Sequence, residues 1–391
     1  MRTSIKWRAS VVAVALALTG ATIAPARAAD TIKVGIIAST SGPLKPFGDA
    51  YMDGLDWGLK YLTKGSMTVN GKKLEIIKKD DGASAETAST YFKQLVADGA
   101  KIIAGTTSST VALTLSPLAA QNKVLYISGP AKIDNLTIPG PYANKYTFRS
   151  GNMSAQDVAA LKGISGVKGK KVVLFVEDNV FGAGNIAAAK KVLEPKGALF
   201  EEIKVATTAT DMLPYAAKAA AAKPAYVFIA WANTATSGLV FTALKQQGLF
   251  TSSRIVTGLA NVAAYNITGT LFDGSDPFLT NSYFPGVSSN GVASRLAADY
   301  AAAGKQQDLF TPDGVNAAFM IIRALKGNSG LSVDKMISNL EGYSFIGLKG
   351  QITIRQSDHV VVQPMYVVKM TKRSDGSYFP SLVKTIFNVA P

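Results

Sequence analysis

Hydroxyl- and glycine-bearing segments recur at three places in this chain: Ser39-Thr40-Ser41-Gly42-Pro43, Thr106 to Thr110, and Ser128-Gly129-Pro130. Each directly follows a short apolar run. Hydroxyls beside free backbone N–H groups at a helix start suit an anion such as a carboxylate, because the helix dipole adds to the donors. Taken singly, such residues are ordinary helix caps. Three of them on one sheet edge point to a shared anion site.

Catalysis has less to work with. Ser108 would serve as the nucleophile of an exported serine hydrolase only with a base in reach. The one histidine, His359, lies in a late extended segment, and no G-x-S-x-G elbow exists. A lone histidine there is expected to be structural. Asp80-Asp81 sit at a strand end, where neighbours point apart, so they are expected to cap loops or bond between lobes. Gly182-Ala-Gly184 touches the dinucleotide fingerprint, but Val180-Phe181 make the preceding loop too long for its tight turn. The large rings Phe47, Phe181, Trp231 and Tyr283 fall just after apolar runs or in loops opposite them. Rings so placed either seal a core or line an apolar ligand slot.

The elements that must position these groups alternate regularly. Short apolar runs at residues 31–37, 73–79, 101–104 and 124–128 predict strands, with helices between them at about 49–62, 85–98 and 110–122. The rhythm restarts at residues 171–176, followed by a helix over 185–196 and strands at 199–205 and 225–230. Residues 216–224, rich in alanine, predict a further helix. Continuous apolar strands alternating with helices imply parallel sheets covered on both faces. Two such series, separated near Phe148-Arg149-Ser150, predict an α/β protein of two doubly wound lobes. From about residue 349 the pattern turns to extended segments, with a hairpin signal at Asp375-Gly376.

Composition narrows the chemistry. The chain has 391 residues, no cysteine and a single histidine, which removes thiol nucleophiles, disulfides and histidine-rich metal sites. No cofactor is expected. The net charge of +15 is spread over scattered doublets such as Lys72-Lys73 and Lys190-Lys191, so nucleic-acid binding is not expected. Residues 1–28 carry Arg2, Lys6 and Arg8, then an apolar run, then Ala26-Arg27-Ala28. That pattern predicts a secretory signal peptide cleaved near Ala28/Ala29 and a periplasmic product. Losing four cations with the leader takes the net charge from +15 to +11.

Taken together, several segments resemble the leucine-binding-protein-like solute receptors of ABC transporters, the type I periplasmic binding fold. They are residues 36–48, Asp80-Asp81, the Gly105–Ser109 loop with Ile127-Ser128-Gly129, and Tyr146-Thr147-Phe148-Arg149. Phe181-Gly182, residues 347–353 and residues 355–359 add to the likeness, which spans essentially the whole chain after the leader. It implies two lobes with parallel-sheet cores joined by a three-strand hinge. Residues 29–148 and 285–345 would form the N-terminal lobe, and 149–284 and 346–391 the C-terminal lobe. It further implies a carboxylate clamp at Thr107, Ser108 and Ser109 with Gly129, Ala131 and Lys132. Phe47 would line the slot, and Trp231 and Ala232 would face the ligand from the second lobe. A tyrosine usually stands where this chain has Phe181. The acidic residue that holds an amino acid's ammonium is missing, Ala260 lying nearest its place. The resemblance therefore implies a monomeric receptor for a small carboxylate, aromatic or apolar and without an α-amino group, that serves an inner-membrane permease. A branched-chain amino-acid receptor and a sensor domain feeding a signalling partner are the alternatives on the same fold.

Overall fold

The structure is a computed structural model describing Met1, residues 31–258 and residues 261–390. The segment expected to be a leader after Met1, its expected cleavage site and Ala260 lie outside the described residues. The first sheet contains β1 (Thr31–Ala38), β2 (Thr68–Val69), β3 (Lys72–Asp80), β4 (Ile102–Gly105), β5 (Leu125–Ser128) and β6 (Thr147–Arg149). Its order is β2-β3-β1-β4-β5-β6, parallel except for the short β2. Helices α1 (Lys45–Leu62), α2 (Ala85–Ala97) and α3 (Ser109–Asn122) connect its strands.

The expected strand positions are all occupied; the central strands β1, β4 and β5 are buried on both faces along almost their whole length, whereas β3 leaves Lys73, Glu75 and Lys78 exposed. Helices Gly291–Ala302, Thr311–Leu325 and Val333–Leu340 return late in the chain to this lobe. The pairing of α1 with helix Thr311–Leu325 is backbone-close: a Cβ on Gly314 would stand 1.9 Å from the Tyr51 carbonyl oxygen.

The second sheet contains β7 (Lys171–Glu177), β8 (Leu199–Val205), β9 (Tyr226–Ala230), β10 (Arg254–Gly258) and β11 (Phe278–Asn281) as a parallel core. Antiparallel strands β12 (Ser344–Gly347), β13 (Gly350–Ile354), β14 (Val361–Lys372) and β15 (Tyr378–Val389) extend it. Helix α4 (Ser154–Asp157) follows the first crossover, and α5 (Val180–Leu193) follows β7. The alanine-rich stretch is the helix Leu213–Ala221. The hairpin expected at Asp375-Gly376 joins β14 to β15.

Three crossings connect the lobes: after β6, after β11, and along β14. The last is a single strand with two sets of partners. Its Val361 and Val362 pair with β13, while Tyr366 to Val368 pair with β11. Between them lie Pro364 and an irregularity in the register with β15. Residues 346–361, expected in the C-terminal lobe, place Ile352, Ile354 and Val361 in the core of the first lobe together with Phe345. A hairpin of alternating residues gives no sequence signal of which neighbouring core takes its apolar face.

Candidate functional site

Each sheet reverses its winding order once, between β1 and β4 in the first lobe and between β7 and β9 in the second. Loops leaving adjacent strands diverge at such points and open a crevice at their carboxyl ends. The two crevices face each other across one cavity of about 450 Å³.

On the first lobe the loop after β4 is fixed from below. Asp81, 1% exposed, accepts hydrogen bonds from the Ser39 hydroxyl at 2.6 Å, the Thr106 hydroxyl at 2.6 Å and the Ala83 amide at 2.8 Å. Its neighbour Asp80 takes the amides of Thr40 and Gly82. Burial works against ionisation there, but these donors and Ser41 outweigh it and hold the Asp80 carboxyl below its ordinary range. The pair therefore caps loops within one lobe and, among the described residues, makes no hydrogen bond between lobes. Gly105 has φ +107, and a Cβ there would sit 1.8 Å from the Ile37 carbonyl oxygen, so only glycine lets the loop leave β4 this way.

Ser108 caps α3, its hydroxyl accepting from the Val111 amide at 3.5 Å. The Ser109 hydroxyl accepts from the Lys132 amide at 3.2 Å, joining this loop to the one after β5. The amides of Ser109 and Thr110 have no acceptor within the helix. The Thr107 hydroxyl, buried at the cavity wall, finds no partner among the described residues.

Behind the loop after β5 stands Arg149, fully buried, donating to the Thr137 hydroxyl at 2.9 Å, the Ala131 carbonyl at 2.8 Å and the Ile133 carbonyl. Burial lowers its guanidinium only to about 10, so it keeps its charge. Lys132 projects from this loop into the cavity, and its ammonium is already paired with Asp157 at 3.0 Å and with the Asn152 side-chain oxygen at 3.0 Å. It also lies 5.1 Å from the Phe310 ring centroid. Phe310 in turn meets Phe47 edge-on at 5.1 Å.

On the second lobe Phe181 lies in the first turn of α5, which starts five residues earlier than expected because Asn179 caps it, accepting from the Gly182 amide at 2.9 Å. Gly182 allows that start: a Cβ would come 1.9 Å from the Glu177 carbonyl oxygen. The Glu177 carboxylate, 3% exposed, accepts from the amides of Ala232 and Asn233 at 3.1 and 2.6 Å and from the Asn179 side chain at 2.9 Å. It thereby fixes the loop carrying Trp231, whose indole donates to the Asn233 carbonyl and the Thr236 hydroxyl. At the cavity mouth, the Thr234 hydroxyl of the same loop donates to the Pro43 carbonyl of the first lobe at 2.7 Å.

Of the residues singled out from sequence, Phe47, Thr107, Ser108, Ser109, Lys132, Phe181, Trp231 and Ala232 line this one cavity. Three others do not. Gly129 is packed beneath the Tyr51 ring, and Ala131 is buried with Ala112, Ile133 and Leu136. Tyr283 belongs to a core with Trp57 and Leu296, its hydroxyl bonded to Gln307. Each stands one or two positions from a cavity residue, but its direction is set by packing that the sequence does not display. Asp157, Glu177 and Phe310 were missed, since they come from elements distant in the chain; Glu177 is followed directly by Asp178, and nothing local distinguishes the two.

His359 stacks on Phe148 at 3.7 Å, and its ring nitrogens meet the Thr147 carbonyl at 3.0 Å and the Glu341 carboxylate at 3.2 Å. It is structural, lies outside the cavity lining and offers Ser108 no base. Among the described residues, no group of three His, Cys, Asp or Glu side chains could hold a metal, and no helix is long and apolar enough to cross a membrane.

A family model for periplasmic binding proteins matches residues 31–377, and the chain belongs to that family. It is 22% identical over 374 residues to Leu/Ile/Val-binding protein homolog 6 of Brucella abortus, the match covering 93% of each chain. The structure is similar to that of an ABC-type branched-chain amino acid transporter protein from Rhodopseudomonas palustris, with a TM-score of 0.75 and 28% identity over 91% of this chain and 97% of that one. It is similar as well to an ABC-transporter solute-binding protein of Rhodopseudomonas palustris in complex with 3,4-dihydroxybenzoic acid, with a TM-score of 0.78 and 26% identity over 92% and 98%. The fold is that of type I periplasmic binding proteins of ABC transporters, and the chain is a substrate-binding protein of that kind.

Proposed function

We propose that this chain is an exported, monomeric receptor that closes on a small carboxylate with an aromatic or apolar body and no α-amino group, and delivers it to an inner-membrane permease. The observation that carries the reading is the unpartnered Thr107 hydroxyl beside the free amides at the start of α3, facing Phe181 and Trp231 across one cavity. The first group supplies anion donors, the second apolar faces for a ring. Among the described residues, the acids lining the cavity are Asp157 and Glu177, and both are engaged, by Lys132 and by the amides of Ala232 and Asn233. A buried ammonium would have no free carboxylate, a deficit worth several kcal/mol. The aromatic-acid complex of the solute-binding relative supports the same class.

The names of the Leu/Ile/Val-binding relatives favour a second reading, a branched-chain amino-acid receptor. Calorimetric titration separates the two. The expected result is one-to-one binding of a hydroxylated or plain benzoate and no heat with leucine or valine. Tight leucine or valine binding with no response to the benzoates would overturn the proposal.

A further inference from the structure

On the second lobe, most polar side chains that line the cavity are already engaged within the chain. The Asn179 amide donates to Glu177, the Asn185 amide to the Phe181 carbonyl at 2.9 Å, and the Thr257 hydroxyl to the Ile229 carbonyl at 3.1 Å. Asp157 is taken by Lys132. Two buried hydroxyls are left over. Thr280, near the carboxyl end of β11, and Ser282, directly after that strand, both line the cavity and are only 8% and 5% exposed. Neither hydroxyl has a hydrogen-bond partner among the described residues. Asn281 between them fixes the segment, its side-chain oxygen accepting from the Tyr283 amide at 2.9 Å. Gly258, which pairs with Thr280 in the sheet and also lines the cavity, leaves the space in front of Thr280 open. A Cβ placed on Gly258 would meet the Thr280 hydroxyl oxygen at 3.9 Å and, its chain neighbours aside, no other described atom within 4 Å.

We infer that Thr280 and Ser282 form a polar subsite for an uncharged hydroxyl on the body of the ligand, so that the acid captured is a hydroxylated aromatic one. This rests on the carboxylate reading above and names the substrate class of the same site. The carboxylate donors, at Thr107 and α3, belong to the first lobe, so the hydroxyl is one that leaves the ring away from the carboxylate. A hydroxyl suits the subsite because it both donates and accepts, as the side chains of Thr and Ser do. A second carboxylate does not suit it, because Lys132 is the one cation among the described cavity residues and is paired with Asp157. An acid without the hydroxyl would close the lobes over two buried hydroxyls left unpaired, the arrangement by which a site rejects an analogue lacking a polar group.

The test is a calorimetric titration of the chain without residues 1–28 against benzoate and its 2-, 3- and 4-hydroxy derivatives. The 3- or the 4-hydroxy acid should bind about tenfold tighter than benzoate. The 2-hydroxy acid, whose hydroxyl bonds its own carboxylate, should gain nothing. In Thr280→Val and Ser282→Ala, each used if its melting transition stays cooperative, the ratio of hydroxy-acid to benzoate affinity should fall towards one while benzoate affinity holds. Thr280→Ser should keep the ratio. Equal affinity for benzoate and its 3- and 4-hydroxy derivatives in the unmodified chain would overturn the inference and leave the carboxylate reading standing. A preference that survives undiminished in both variants would do the same. Failure of every acid to bind would remove both.

Discussion

Thr107 is the residue at which stability and binding oppose each other. A buried hydroxyl without a partner costs about 1–3 kcal/mol, and that of Thr107 has none among the described residues. Thr107→Val keeps the shape and removes the polar group. The free protein should therefore melt higher, by the equivalent of up to about 1–2 kcal/mol, while affinity for the carboxylate falls at least tenfold. Lower stability with unchanged affinity would show that the hydroxyl serves the fold alone. At this scale the sequence was informative where residue type sufficed, as with the hydroxyls of residues 107–109 and the rings of Phe47, Phe181 and Trp231. It was uninformative where direction mattered. Ala131 and Lys132 are adjacent, yet one is buried under the loop and the other enters the cavity.

The loop after β9 is held by a device that no local pattern announces. Glu177, at the end of β7, receives two amides from a loop more than fifty residues away. Hydrogen bonds to a charged acceptor contribute about 1.5–3 kcal/mol each. Glu177→Gln retains the volume but removes the charge, so it should lower stability by about 1–3 kcal/mol. It should also loosen Trp231, seen as a red-shifted indole emission and weaker ligand binding. Unaltered emission would mean that the loop holds itself. Strands and helices were readable because their periodicity is contained within each segment. The β12–β13 hairpin and the early start of α5 were not, since a neighbouring core and a single Asn cap decide them.

At the scale of the whole molecule, Asp313 and Lys349 lie buried where the lobes meet, with Lys132 and Asp157 the other charges acting on both. Burial is the dominant influence, pushing the Asp313 carboxyl up to about 7 and the Lys349 amine down to about 7. A carboxyl raised on folding lends stability below its ordinary value of 3.8, and that contribution is lost as pH rises to about 7. An amine depressed on folding lends stability above its ordinary 10.5, lost as pH falls to about 7. The pair's own contribution to stability is therefore smallest between these two limbs. Denaturant titrations across pH should show Asp313→Asn flattening the acid limb and Lys349→Met the alkaline one. Parallel curves for both variants and the parent would refute the assignment.

The strand shared by the lobes has a mechanical consequence. Pro364 stands where β14 exchanges β13 for β11, and proline contributes no amide hydrogen to a ladder. β15 nevertheless pairs with β14 on both sides of that point, Gln363 with Val389 and Met365 with Ile386, so any change in the angle between the lobes must bend these two strands together. The Thr234 hydroxyl bound to the Pro43 carbonyl is thus a clasp between the two rims, and that ribbon is the spine against which it holds them.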